Sequence, residues 1–149
     1  MGITKVRPFC HPAGESTRAR QQDSDAASRL VADLAELVQA IFTALPPSRP
    51  WQRRLLQQLA EADRLVQVLR LIVAMGRAQA EVAEAAGQLA AVLRAADRYV
   101  AVGRADLVIK SAVRLATDLA QCIVVALSGE GPRAPEESVQ LRPMRPSRG

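Results

Sequence analysis

Between Pro50 and Met75 the chain runs PWQRRLLQQLAEADRLVQVLRLIVAM, about seven helical turns without an internal proline or glycine. Leu55, Leu59, Ala62, Val66, Leu69 and Val73 recur at a 4-3-4-3-4 spacing, which only a helix gathers onto one face. A second row, Leu65, Val68, Ile72 and Met75, widens that face toward the C-terminal half. A helix with so broad an apolar arc needs neighbours on more than one side. That requirement constrains the fold more than any other feature.

Three further segments meet it. The first is expected from Ser24 or Asp25, either a good N-cap, to about Leu45, with Leu30, Leu34, Leu37, Ile41 and Leu45 inward and Val31, Val38 and Phe42 beside them. Pro46-Pro47 stops it, because proline lacks the amide and disfavours helix in the preceding residue. The second helix begins at Pro50, where a missing amide is harmless, with Ser48 as its expected cap and Gly76 as its end. The third is expected over about 78–102, with Val82, Ala86, Leu89, Leu93, Ala96 and Val100 as its seam and Gly103 as its terminal glycine. The fourth, about 105–127, carries two rows. Val108, Ala112, Leu115, Leu119, Cys122 and Ala126 make the expected inner seam. Ile109, Val113, Ala116, Ala120, Ile123 and Leu127 run parallel to it.

Short links force successive helices to pack antiparallel, so the fold class is all-α: an up-down-up-down four-helix bundle over 24–128. Residues 1–23 and 129–149, rich in Pro, Gly, Ser and Arg and without periodicity, are expected to be disordered tails. Four helices cannot readily cover every apolar row, so some residues should meet another subunit. Leu65, Val68 and Ile72 of the second helix and Ile109, Val113, Ile123 and Leu127 of the fourth are the candidates.

Composition narrows the chemistry. At 149 residues the chain is one domain; aromatics are 3% of it, and Ala, Leu and Val dominate, which favours helix packing over sheet. One His and two distant cysteines, Cys10 and Cys122, offer no metal spacing, and His11 beside Cys10 gives only two ligands. Glu81 and Glu84 suit the start of a helix rather than acid–base work. No nucleophile with a base and no Gly-rich phosphate loop occurs, so neither catalysis nor a cofactor is expected. No apolar run approaches the roughly 20 residues of a membrane span, and the N-terminus lacks a signal-peptide core, so a cytoplasmic protein is expected.

The arginines say more. Net charge is +5, with four basic and two acidic residues in each of 1–23 and 131–149. Arg49, Arg53 and Arg54 crowd the start of the second helix, where cations oppose the helix dipole at a cost of a few tenths to about 1 kcal/mol each. A phosphate would suit both those arginines and the free amides of that helix end. Arg94 and Arg98, Arg104, and Lys110 and Arg114 follow, with only Asp97 and Asp106 to offset them by local pairs. Because few aromatics are available to stack on bases, nucleic-acid binding would be led by backbone and shape.

The arrangement resembles the Avd proteins, accessory variability determinants of bacterial diversity-generating retroelements, which are small four-helix bundles related to the ribosomal-RNA intervening-sequence proteins. The likeness covers roughly 28–128. It rests on ALPPSRPWQRRLLQQL at 44–59, QLAAVLRAADRYV at 88–100 and IKSAVRLATDLAQCIVVAL at 109–127, and it departs at both tails. It implies a basic homopentamer that binds a reverse transcriptase and its template RNA and supports mutagenic cDNA synthesis without catalysis of its own. Arg53, Arg54, Arg94 and Arg98 are the basic positions it matches. Two other readings fit the same residues: a small helical subunit of a CRISPR effector complex, stacked head to tail on a nucleic-acid backbone, and a helical protein-interaction module with no nucleic acid.

Overall fold

The computed structural model describes residues 13–129, with side chains from Thr17 onward. Four helices follow in order, α1 (Ala13–Ala44), α2 (Pro50–Ala74), α3 (Gln79–Val102) and α4 (Leu107–Leu127), and among the described residues there is no strand. Each helix lies beside two others in a closed cycle, α1 to α2 to α3 to α4 and back to α1, and the buried residues of all four form one core. This is the expected up-down-up-down bundle. The α3–α4 seam is the most extensive and α1–α2 the least.

The helix ends follow from local chemistry. Arg49, not Ser48, is the N-cap of α2: its backbone is extended, and its N–H donates to Gln52 Oε1 at 2.8 Å. Serine is the better cap by preference, but the glutamine reaching back from the first turn satisfies the amide of the N-cap residue itself. Gly76 stops α2 at φ +61°, with Arg77 N–H bonding to the Ile72 carbonyl and Gly76 N–H to that of Val73. That pair of bonds is a Schellman closure, and the left-handed residue within it favours glycine. Gly103 ends α3 differently, at φ −88° and ψ 179°, a conformation open to any residue.

Helix α1 begins eleven residues before Ser24, so 13–23, expected as part of a disordered tail, is helical. No apolar periodicity marks this stretch, and the described side chains from Thr17 to Ala26 are all exposed. Its Arg, Gln, Glu and Ala residues form helix by propensity alone, with no face to bury. Ser24 is therefore interior, its carbonyl accepting from Ser28 Oγ at 2.9 Å. Since α1 has 32 residues against 25 in α2, its first two turns overhang the bundle by about 10 Å. Residues 1–12 and 130–149, including Cys10, His11 and the remainder of both expected tails, lie outside the described residues.

The core confirms two helices and rotates two. In α2, Leu55, Leu59, Ala62, Val66 and Leu69 are buried as expected, and α3 buries its whole expected seam from Val82 to Val100. In α1 the buried row is Ala27, Val31, Leu34, Val38, Ile41 and Leu45, while Leu30 and Leu37 sit half-buried at its edge. In α4 the two rows exchange roles. Val113, Ala116, Ala120, Ile123 and Leu127 fill the core, whereas Val108, Leu115 and Cys122 of the expected seam face outward. Val113, Ile123 and Leu127, with Leu65 of α2, are consequently enclosed by their own chain and cannot form a subunit interface. Of the interface candidates, Val68 is exposed and Ile72 and Ile109 are half-buried against the core.

Candidate nucleic-acid interface

Antiparallel packing places the C-terminus of α1, the N-terminus of α2, the C-terminus of α3 and the N-terminus of α4 at one end of the bundle. All eight basic candidates collect there. Arg49, Arg53 and Arg54 open α2, Arg94 and Arg98 lie in the C-terminal half of α3, Arg104 is in the following turn, and Lys110 and Arg114 open α4. Every one is within eight residues of the helix end, a depth of about 12 Å. Against them stand Glu36, Asp97 and Asp106. Elsewhere in the described bundle the balance reverses: Arg18, Arg20, Arg29, Arg64, Arg70 and Arg77 face Asp23, Asp25, Asp33, Glu61, Asp63, Glu81, Glu84 and Asp118. The bundle is electrically polarised along its axis.

Direct contacts join the separate sequence clusters. The Arg54 guanidinium lies over the Tyr99 ring, 5.4 Å from its centroid, which ties the start of α2 to the end of α3. Across the next seam Lys110 Nζ donates to the Ala101 carbonyl at 3.5 Å. Arg53 donates to the Pro47 carbonyl at 3.4 Å, holding the α1–α2 link against the first turn of α2. Between α3 and α4 a shallow groove of about 310 Å³ is lined by Asp97, Val100, Ala101, Lys110, Ser111 and Arg114. Its neighbour on the α2–α3 side, about 370 Å³, is lined by Arg54, Gln57, Gln58, Glu61, Val92 and Ala95.

Asp97 and Asp106 do not neutralise this end. Among the described residues the ion pair formed is Glu61 with Arg64, at 2.6 Å, near the middle of α2 and away from the cluster. Asp106 is the N-cap of α4, but its carboxylate caps no amide. Neither α2 nor α4 has an acidic residue in its first turn, but the C-termini of α1 and α3 lie at the same end, so the helix dipoles offset one another there and the positive charge is that of the side chains.

Aromatic stacking is scarce here. Trp51 is half-buried against the core, with its indole N–H enclosed and unpartnered, so it packs against the bundle. Tyr99 carries Arg54 on its ring, a role the sequence hinted at only by its place on the flank of the α3 seam. A larger groove of about 430 Å³ lies at the opposite end, among Arg20, Asp23, Arg77 and the end of α4, where charges of both signs mix.

The described residues contain no group of three or more His, Cys, Asp and Glu placed to hold a metal ion, and no helix long and apolar enough to cross a membrane. Fold and site together define an all-α bundle with one concentrated, unneutralised basic end. Compared with protein-family models, with curated proteins and with solved structures, the chain matches none.

Proposed function

We propose that this chain is a non-catalytic accessory protein whose basic end holds the phosphate backbone of an RNA. The observation that carries this reading is the convergence of eight basic side chains, from three separate stretches of sequence, with no ion pair to an acid among the described residues. Arginine tips spread across two or three helix widths match a flexible, phosphate-lined strand better than a compact ligand. The scarcity of open aromatic faces argues for recognition by charge and shape over recognition of bases. The Avd resemblance supplies the setting: RNA and a reverse transcriptase held together during mutagenic cDNA synthesis.

The test is the affinity for single-stranded RNA, measured by fluorescence anisotropy across a salt series. Each phosphate contact contributes about −0.7 to the slope of log affinity against log salt, so full engagement of the eight gives roughly −5 to −6. Arg94→Ala with Arg98→Ala should weaken binding and reduce that slope by about 1 to 2. Affinity that is flat with salt, or unaltered by the double substitution, overturns the phosphate reading. The reverse-transcriptase setting has its own test in the gene neighbourhood. A reverse transcriptase with a variable repeat supports it, and a CRISPR array assigns the chain instead to an effector complex.

A further inference from the structure

The groove on the α2–α3 seam holds polar groups that phosphate binding does not use. Arg54, Gln58 and Glu61 make a stripe along α2, and Tyr99, Ala95 and Val92 make the facing stripe along α3. The helices are antiparallel, and the contact of Arg54 with Tyr99 fixes their register. It sets Gln58 level with Ala95 and Glu61 level with Val92. Alanine is the smallest of the three facing side chains, and the space beside it is the groove of about 370 Å³. Here Gln58 Oε1 is enclosed and has no hydrogen-bond partner among the described residues. An oxygen taken from water and left unpaired loses its solvation without return, so the site favours a group that donates to it. No hydrogen bond to the described chain holds the rest of this amide either. The terminal torsion of glutamine is soft, so the amide can turn into the groove and break nothing.

We infer that this groove takes one unpaired nucleobase of the bound RNA, stacked on the outer face of the Arg54 guanidinium with its hydrogen-bonding edge toward Gln58. This rests on the phosphate reading, which brings the strand to Arg54. That arginine belongs both to the basic end and to the mouth of the groove, so a strand held by the one passes over the other. Its guanidinium lies over Tyr99 on one side, and a plane held in this way can take a base on the other. The interior does not suit a phosphate. Beyond Arg54 the lining residues are two glutamines, Glu61, Val92 and Ala95, with no further cation. Arg64 donates to both oxygens of Glu61, so Gln58 is the acceptor left open. A base edge carries N–H donors beside acceptors and satisfies a carboxamide whichever way it is turned. Every base has such an edge and a stacking face, so the groove selects the form of the strand over its sequence. Pairing in a duplex consumes that edge. Phosphate attraction supplies most of the affinity, and the groove adds a preference for single strands.

The test is fluorescence anisotropy on the full chain with three labelled probes of equal length: a single-stranded RNA of mixed sequence, its duplex, and a strand whose sugars carry no bases. The natural strand should bind about five- to tenfold more tightly than the baseless one at the same salt, with the same salt slope. Gln58→Met should reduce that ratio, leave the baseless strand and the duplex unaffected, and not lower the denaturation midpoint, since it removes an enclosed, unpaired oxygen. Ala95→Leu, which fills the space level with Gln58, should abolish the ratio. Arg94→Ala with Arg98→Ala should weaken all three probes and keep the ratio. Equal affinity for the natural and baseless strands, or a ratio that either groove substitution leaves unmoved, overturns this inference while the phosphate reading stands. Binding of no probe, or binding flat with salt, overturns that reading and this inference with it.

Discussion

Helices α3 and α4 share the longest seam of the bundle, yet they use their apolar residues in opposite ways. Helix α3 buries Val82, Leu89, Leu93 and Val100 among small alanines, and before Val102 exposes no large apolar side chain. Helix α4 is the more apolar of the two but buries only Val113, Ala116, Ala120, Ile123 and Leu127, leaving Leu107, Val108, Leu115 and Val125 exposed. Apolar content does not decide what becomes core. A helix in a closed cycle of four has one inward face, and the second row of α4 reaches only its edge, with Ala112 and Leu119 half-buried and Val108 and Leu115 exposed.

The largest effect that sharpens this contrast is in the core. Leu93→Ala in α3 should cost about 2–5 kcal/mol, read as a lower denaturation midpoint with unchanged slope, because its side chain is fully enclosed. In α3 again, Gly87→Ala should stabilise by about 0.5–1 kcal/mol: the helix interior penalises glycine, and an added Cβ meets nothing within 4 Å. Leu115→Ala in α4, measured dilute enough to keep the chain single, should stay within about 0.5 kcal/mol of the parent. A cost matching that of Leu93→Ala would break the comparison.

The smallest expected effect is on α2. Its hydrogen bonds and charge attraction with Arg64 hold the Glu61 carboxyl below its ordinary value of 4.5. A carboxylate whose folded-state value is lowered contributes stability above the ordinary value and loses it as pH falls through the folded one. The stability difference between the parent and Glu61→Gln should therefore shrink as pH is taken from neutral to well below 4.5. A difference that persists in acid would show that the charge is not its source.

Where one row alone was apolar, the sequence was legible. The seam of α3 is a single row and lies where the spacing put it; in α2 the regular row is buried from Leu55 to Leu69, and the second row adds only Leu65 to the buried core. In α4 two rows had the same spacing, and the choice between them was wrong. A usable signal existed: Lys110, Ser111, Arg114, Asp118 and Gln121 form a polar arc whose midpoint, at 100° per residue, is nearly opposite the Val113–Ile123 row. The start of α1 had no such signal, since no described side chain from Thr17 to Ala26 is buried. Each arginine of the basic end was visible as a local cluster. Their union was not, because it depends on four helices alternating in direction and on a contact, Arg54 over Tyr99, between residues 45 positions apart.

The even number of helices has a practical corollary. Ala13 and Gly129, where the described chain enters and leaves, both lie at the end opposite the basic cluster, and the overhang of α1 carries the entry point farther out. The molecule is in effect a post with both leads at its foot. A label, a fusion partner or a surface attached through either lead would stand the protein upright with its charged head free, the orientation a binding measurement on that head needs.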